Sequence, residues 1–131
     1  MNILVGFDES DAAYAAVKLA KRHALAWNSR LEIVKVIHQQ RKLTDMDIVN
    51  ANRRLQQIVG EQFKPEKCDF KTRVIIAIES AGEELVKYAR KYAFDEIIIG
   101  IGKKSRVGKF LFGSNAQYII LNATCPVVVV K

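Results

Sequence analysis

Cysteine is scarce in this chain. Cys68 and Cys125 stand far apart, without metal-ligand spacing. Their pattern supports no metal site and leaves a reduced cytoplasmic setting as the default. Each reads as a small packing residue. Histidine is equally scarce, with only His23 and His38, so no Ser-His-Asp or Cys-His catalytic arrangement can be built. No apolar run approaches the roughly 18 residues that cross a bilayer. No charged region leads an apolar segment at the start, so no signal peptide is expected. Repeats and low-complexity segments are missing too. The last 35 residues, from Ile97 to Lys131, contain no Asp or Glu. Their charges are Lys103, Lys104, Arg106, Lys109 and Lys131, which suits an anion.

What is present fits one domain over residues 1–131, half of it hydrophobic. The formal charge is +7. Outside 103–109 the basic residues are spread along the chain, and no arginine-rich arm or aromatic-interleaved strand accompanies them. A solvated basic face or a local phosphate site is therefore preferred over nucleic acid. No membrane partner is expected.

Apolar runs suited to strands occur at Asn2–Phe7, Leu31–Ile37, Thr72–Ile78, Glu96–Ile99 and Val127–Val130. Helices are expected between them. Asp8-Glu9-Ser10-Asp11 opens the first, and Asp8 is itself a candidate cap. Its apolar stripe runs through Ala13, Val17, Ala20, Ala24 and Trp27, which makes Trp27 a packing residue. A second helix starts near Thr44, with Leu55, Ile58 and Val59 on one face, and stops near Lys64-Pro65. Ser80 and Glu83 form a capping box for a third, whose stripe runs from Leu85 to Tyr92 and Ala93. A fourth starts at Ser114, where Ser114-x-x-Gln117 reads as another capping box. The stretches 38–44 and 101–112 carry the weakest structural signal.

Strand and helix alternate throughout. Continuous Val/Ile runs mark strands covered on both faces. The expected fold is an α/β, doubly wound, five-stranded parallel sheet with helices on both faces, in three layers. Ligands in such sheets sit beyond the carboxyl ends of strands, where the strand order reverses. With the order 3-2-1-4-5, Gly6-Phe7-Asp8, Val36-Ile37-His38 and Gly100-Ile101-Gly102 lie at those ends. His38 reads as a loop residue rather than a catalytic one. Gly113-Ser114 adds a helix N-terminus, whose free N–H groups favour phosphate. No G-x-x-x-x-G-K-S/T loop exists, and Ser105 occupies the third glycine position of a dinucleotide fingerprint.

Three segments carry a family resemblance: ILVGFDESDAAYAAV, AGEELVKYARKYAFDEIIIG and NATCPVVVVK. Together with Gly100 and Gly113-Ser114 at their spacing, they resemble the universal stress proteins of the adenine nucleotide α-hydrolase-like group. The family's middle loop glycine is replaced here by Lys103. The resemblance implies a cytoplasmic stress-response sensor or regulator that binds ATP or AMP, with Mg only alongside the nucleotide. Asp8 would lie near the ribose or adenine edge, Val36 would present backbone groups to the base, and Ile99 would pack on it. Gly100, Gly102 and Lys103 would line the phosphate path. Gly113, Ser114, Asn115 and Ala116 would hold phosphates. No general base is evident, so slow ATP hydrolysis is the most that the residues support. The resemblance also implies a homodimer through Val127–Val130, an apolar edge that invites pairing. A second reading is a nucleotide-free homodimeric interaction protein of the same family, with Lys103 closing the phosphate loop.

Overall fold

The computed structural model describes residues 1–39, 42–63, 68–102 and 113–131. The expected end of the second helix at Lys64-Pro65 and the whole of 103–112 lie outside them. The elements alternate as β1 (Asn2–Gly6), α1 (Asp11–Trp27), β2 (Arg30–His38), α2 (Asp45–Gly60), β3 (Phe70–Ala77), α3 (Ala81–Lys91), β4 (Glu96–Gly100), α4 (Ser114–Asn122) and β5 (Val127–Val130). A single 3-10 turn, Glu61–Phe63, follows α2. All the strands are parallel, in the order β3-β2-β1-β4-β5. The expected fold class and strand order are both found.

The period-2 alternation of side chains divides the core. Ile3, Val5, Leu31, Ile33 and Ile98 face α1 and α2, where they meet Ala16, Val17, Leu55 and Val59. Leu4, Val34, Ile97 and Ile99 face the other way, onto Leu85, Val86 and Ala89 of α3 and Ile119 of α4. Apolar residues on both sides of each strand explain why the strands read as unbroken Val/Ile runs. Cys68 and Cys125 are half-buried against these two clusters, and burial pushes both thiols up.

Local chemistry sets the helix starts. Ser10 caps α1, its Oγ accepting from Ala13 N at 3.1 Å. Thr44 and Asp47 form a reciprocal capping box on α2. Ser80 Oγ accepts from Glu83 N at 3.2 Å on α3. Asp8 is therefore not the cap of α1. It braces the cap instead, its Oδ1 accepting from Ser10 N at 3.0 Å and Ser10 Oγ at 2.5 Å.

Two apolar stripes end earlier than their spacing predicts. Trp27 is half-exposed, because it lies in the last turn of α1, with its ring against His23 rather than in the core. Helix α3 stops at Lys91, since Ala93 adopts a left-handed φ of 52°. Phe94 N then reaches back to Ala89 O at 3.0 Å, a hydrogen-bonded helix stop that leaves Tyr92 exposed. His23 itself bonds Glu96 Oε1 through Nδ1 at 2.7 Å, which pairs a carboxylate buried at the start of β4. Ile78, expected to close β3, lies one residue beyond the strand and is 94% exposed.

Candidate functional site

Every helix of the described fold starts at the carboxyl end of the sheet, because every strand is parallel. The order reverses between β1 and β4, which opens a crevice at that end. A cavity of about 130 Å³ lies there, on the α3/α4 face. Its strand side is Gly6-Phe7-Asp8 after β1, Val34 and Val36 of β2, and Ile99-Gly100 of β4. Its helix side is Ala81 and Leu85 of α3 with Asn115, Ala116 and Ile119 of α4. The amino-terminal turns of two helices thus converge on one hollow.

These two amino ends differ. The first turn of α3 has Ser80 on it. The cap of α4 is Gly113, which supplies no side-chain hydrogen bond. Ser114 is the first helical residue rather than the cap, so the capping box expected for Ser114 and Gln117 does not form. Backbone pairing in α4 begins with Gln117 N on Gly113 O at 3.0 Å. The amides of Ser114, Asn115 and Ala116 precede that bond and have no intrahelical acceptor. With the helix dipole behind them, they favour an anion.

The floor of the cavity is apolar where Val34, Val36, Leu85, Ile99 and Ile119 meet. The Phe7 ring is committed to the opposite core, edge-on to Tyr14 at 5.1 Å. Asn115 has a positional duty: its Oδ1 accepts from Gly82 N at 2.9 Å, which ties α4 to α3.

Of the twelve residues that the sequence singled out, Gly6, Phe7, Asp8, Val36, Ile99, Gly100, Asn115 and Ala116 line this cavity. Gly102, Gly113 and Ser114 do not, and all three are exposed. Lys103 lies outside the described residues. Val34, Ala81, Leu85 and Ile119 also line the cavity. The sequence placed Leu85 in the apolar stripe of its helix, and no local pattern separates a core valine from a cavity-lining one.

A charged brace flanks the cavity. Glu9, next to Asp8, has a left-handed φ of 65°. Its carboxylate accepts from Lys35 of β2 and from Arg54 of α2, the latter at 2.9 Å. The Lys35 ammonium, with Arg54 adding to it, holds the Glu9 carboxyl below its ordinary value despite some burial. A lowered folded-state pKa gives stability that is present above the unfolded value, near 4.5, and is lost as pH falls through the folded one. Glu9→Gln should therefore cost about 0.5 kcal/mol at neutral pH. The gap to the parent chain should close as pH falls through the lowered folded-state value, which urea unfolding across pH measures. A gap that persists at acid pH would show that the carboxylate charge is not what matters.

Among the described residues, no group of three or more His, Cys, Asp and Glu side chains could hold a metal. No helix there is long and apolar enough to cross a membrane.

Comparison with known proteins places this geometry. A universal stress protein from Methanocaldococcus jannaschii is 44% identical over 48 residues, which take in 37% of this chain and 28% of that protein. The chain thus spans well under two thirds of that relative's length. A universal stress protein structure from Archaeoglobus fulgidus superposes with a TM-score of 0.84 at 26% identity, covering 100% of this chain and 98% of that one. Another, from the same organism and in complex with dAMP, gives 0.78 at 23% identity over 100% and 98% of the two chains. At that identity the likeness shows the fold alone. The universal stress protein family model matches residues 1–131 throughout, and the chain belongs to that family.

Proposed function

We propose that this protein binds an adenine nucleotide in the cleft between β1, β4 and the start of α4. It then acts as a nucleotide-responsive regulatory module rather than a fast enzyme. The observation that carries the reading is the amino end of α4: first-turn amides without a side-chain cap, opening on a cavity with an apolar floor. A flat base suits the floor formed by Val36 and Ile99, while phosphates suit the α4 amides. Asp8 sits at the rim for the ribose. The dAMP complex of a relative with the same fold supports this choice of ligand class. ATP or AMP is the preferred ligand, with Mg entering only on phosphate oxygens. Asp8 Oδ1 already accepts twice from Ser10, so it is a poor general base and turnover should be slow.

The test is calorimetric titration of stripped protein with ATP and AMP, with mass spectrometry of anything released on denaturation. Micromolar affinity is expected. Ala116→Leu, which fills the cavity mouth, should weaken it at least tenfold. No heat at millimolar nucleotide would sink the reading.

One observation favours the nucleotide-free alternative. The cavity, at about 130 Å³, is smaller than the roughly 300 Å³ of a whole-ligand pocket. It takes a ring and leaves the ribose and phosphates outside. In that reading Lys103 closes the phosphate loop, and homodimerisation is the function.

Both readings include a homodimer through β5, the sheet edge. Pro126 O and Val130 O accept from β4, from Ile97 N at 3.0 Å and Ile101 N at 2.7 Å. Backbone groups alternate sides along a strand, so those of Val127 and Val129 point away from β4, with no partner among the described residues. Val129→Pro removes one outward N–H and spares the ladder to β4. It should turn the dimer into a folded monomer, read by sedimentation. An unchanged dimer would place the interface elsewhere.

A further inference from the structure

A second and larger hollow lies at the opposite end of the sheet and shares no lining residue with the cleft. Its volume is about 690 Å³, within the roughly 300–1,000 Å³ range of small-molecule sites. The topology creates it. β3 is the far edge of the sheet, and the end of α3 reaches the amino end of β2, where Tyr88 meets Glu32. The left-handed stop at Ala93 then turns the chain back, presenting Tyr88, Tyr92 and Phe94 as one aromatic wall. The Tyr88 and Tyr92 rings lie 4.7 Å apart, and those of Tyr88 and Phe94 5.8 Å.

The opposite rim is basic. Arg30 opens β2, and Lys71 and Arg73 stand near the start of β3. Two acids also line the hollow, Glu32 and Asp69. Glu32 is engaged: its Oε1 accepts from the Tyr88 hydroxyl and lies 3.5 Å from Arg73 Nε. Burial and the Glu32 carboxylate push that hydroxyl up to about 12, so it stays a neutral donor. Arg73 in turn leans over the Tyr88 ring at 5.9 Å. Arg30 and Lys71 have no carboxylate partner among the described residues. Among the described residues, Asp69 is the lining acid left to oppose them.

We infer that this hollow is a second ligand site, for a small aromatic acid. The ring stacks on the Tyr92–Phe94 wall, and the carboxylate, phosphate or sulfonate reaches Arg30 and Lys71. An apolar wall with two unpaired cations facing it selects a flat anion over a neutral ring or an aliphatic acid. The inference stands apart from the nucleotide reading, since the two hollows have no residue in common.

The probe is 1-anilinonaphthalene-8-sulfonate, an aromatic sulfonate with a flat naphthalene ring, titrated into labelled protein and followed by amide chemical shifts and fluorescence. Saturable shifts are expected at Leu31, Lys71, Tyr88 and Phe94, with Asp8, Val36 and Asn115 still. Arg30→Glu combined with Lys71→Glu should weaken binding at least tenfold, as should Tyr92→Ala. All three residues are exposed, so each variant should keep its unfolding midpoint. Neutral N-phenyl-1-naphthylamine should bind at least tenfold more weakly than the sulfonate. Shifts confined to the nucleotide cleft, absence of saturation, or unchanged affinity in the charge-reversed variant would each overturn the inference.

Discussion

Gly100→Ala should lose about 3 kcal/mol of stability and lower the unfolding midpoint by roughly 10 °C. A Cβ at Gly100 would stand 2.3 Å from Ala12 C, 2.4 Å from Ala12 O and 2.6 Å from Ala13 N. All three are backbone atoms of the first turn of α1, so no side chain can rotate away. The helix would have to lift off the end of β4, taking Ala13 and Ala16 out of the core that they share with Val5 and Ile98. Gly102→Ala is the control, since no described residue lies within 4 Å of its Cβ position, and its effect should stay within about 0.5 kcal/mol. Differential scanning calorimetry of the pair decides the matter. Equal midpoints would mean that Gly100 serves only the turn after the strand. The family resemblance put Gly100 on the phosphate path, and the structure adds the close approach of a helix.

The second large effect belongs to Gly82→Ala, and it links stability to the cleft. Glycine to alanine inside a helix ordinarily stabilises by about 1 kcal/mol. Here the new Cβ would come 2.8 Å from Asn115 O and 3.1 Å from Asn115 Cα. Both are backbone atoms in the first turn of α4, so the contact reverses the sign. A net loss of about 1–2 kcal/mol is expected. The α4 amino end must also shift, and with it the bond from Gly82 N to Asn115 Oδ1. If phosphates rest on the α4 amides, nucleotide affinity should fall about tenfold, or roughly 1.4 kcal/mol. Calorimetric titration beside urea unfolding separates the two effects. Lost stability with unchanged affinity would detach the α4 turn from the binding site. A more stable variant would mean that the α3–α4 contact relaxes freely.

The sequence carried most of the fold because its signals were local. Val/Ile runs bounded by polar turns gave five strands, and Ser10, Thr44 and Ser80 mark three helix starts by their hydrogen-bonding chemistry. The strand ends of a doubly wound sheet then located the cleft, and eight of the singled-out residues line it. Errors fell where a residue's surroundings come from distant chain. Trp27 keeps helical spacing but ends α1 half-exposed, its ring against His23. Ser114 matches a capping box, yet Gly113 takes the cap position. The stop of α3 at Ala93 uses a residue with no intrinsic liking for left-handed backbone.

Composition and periodicity determined the α/β class, the alternating order of elements and the end of the sheet where the cleft lies. Those follow from short-range sterics and from the burial of apolar side chains, which a linear pattern encodes. Tertiary structure alone decided which side chains meet across long separations: Glu9 with Lys35 and Arg54, His23 with Glu96, and Gly82 with Asn115. It also decided that the start of β3 and the end of α3 enclose a basic, aromatic hollow. Such pairings depend on how helices seat on the sheet, and that seating is set by the packing of the whole core.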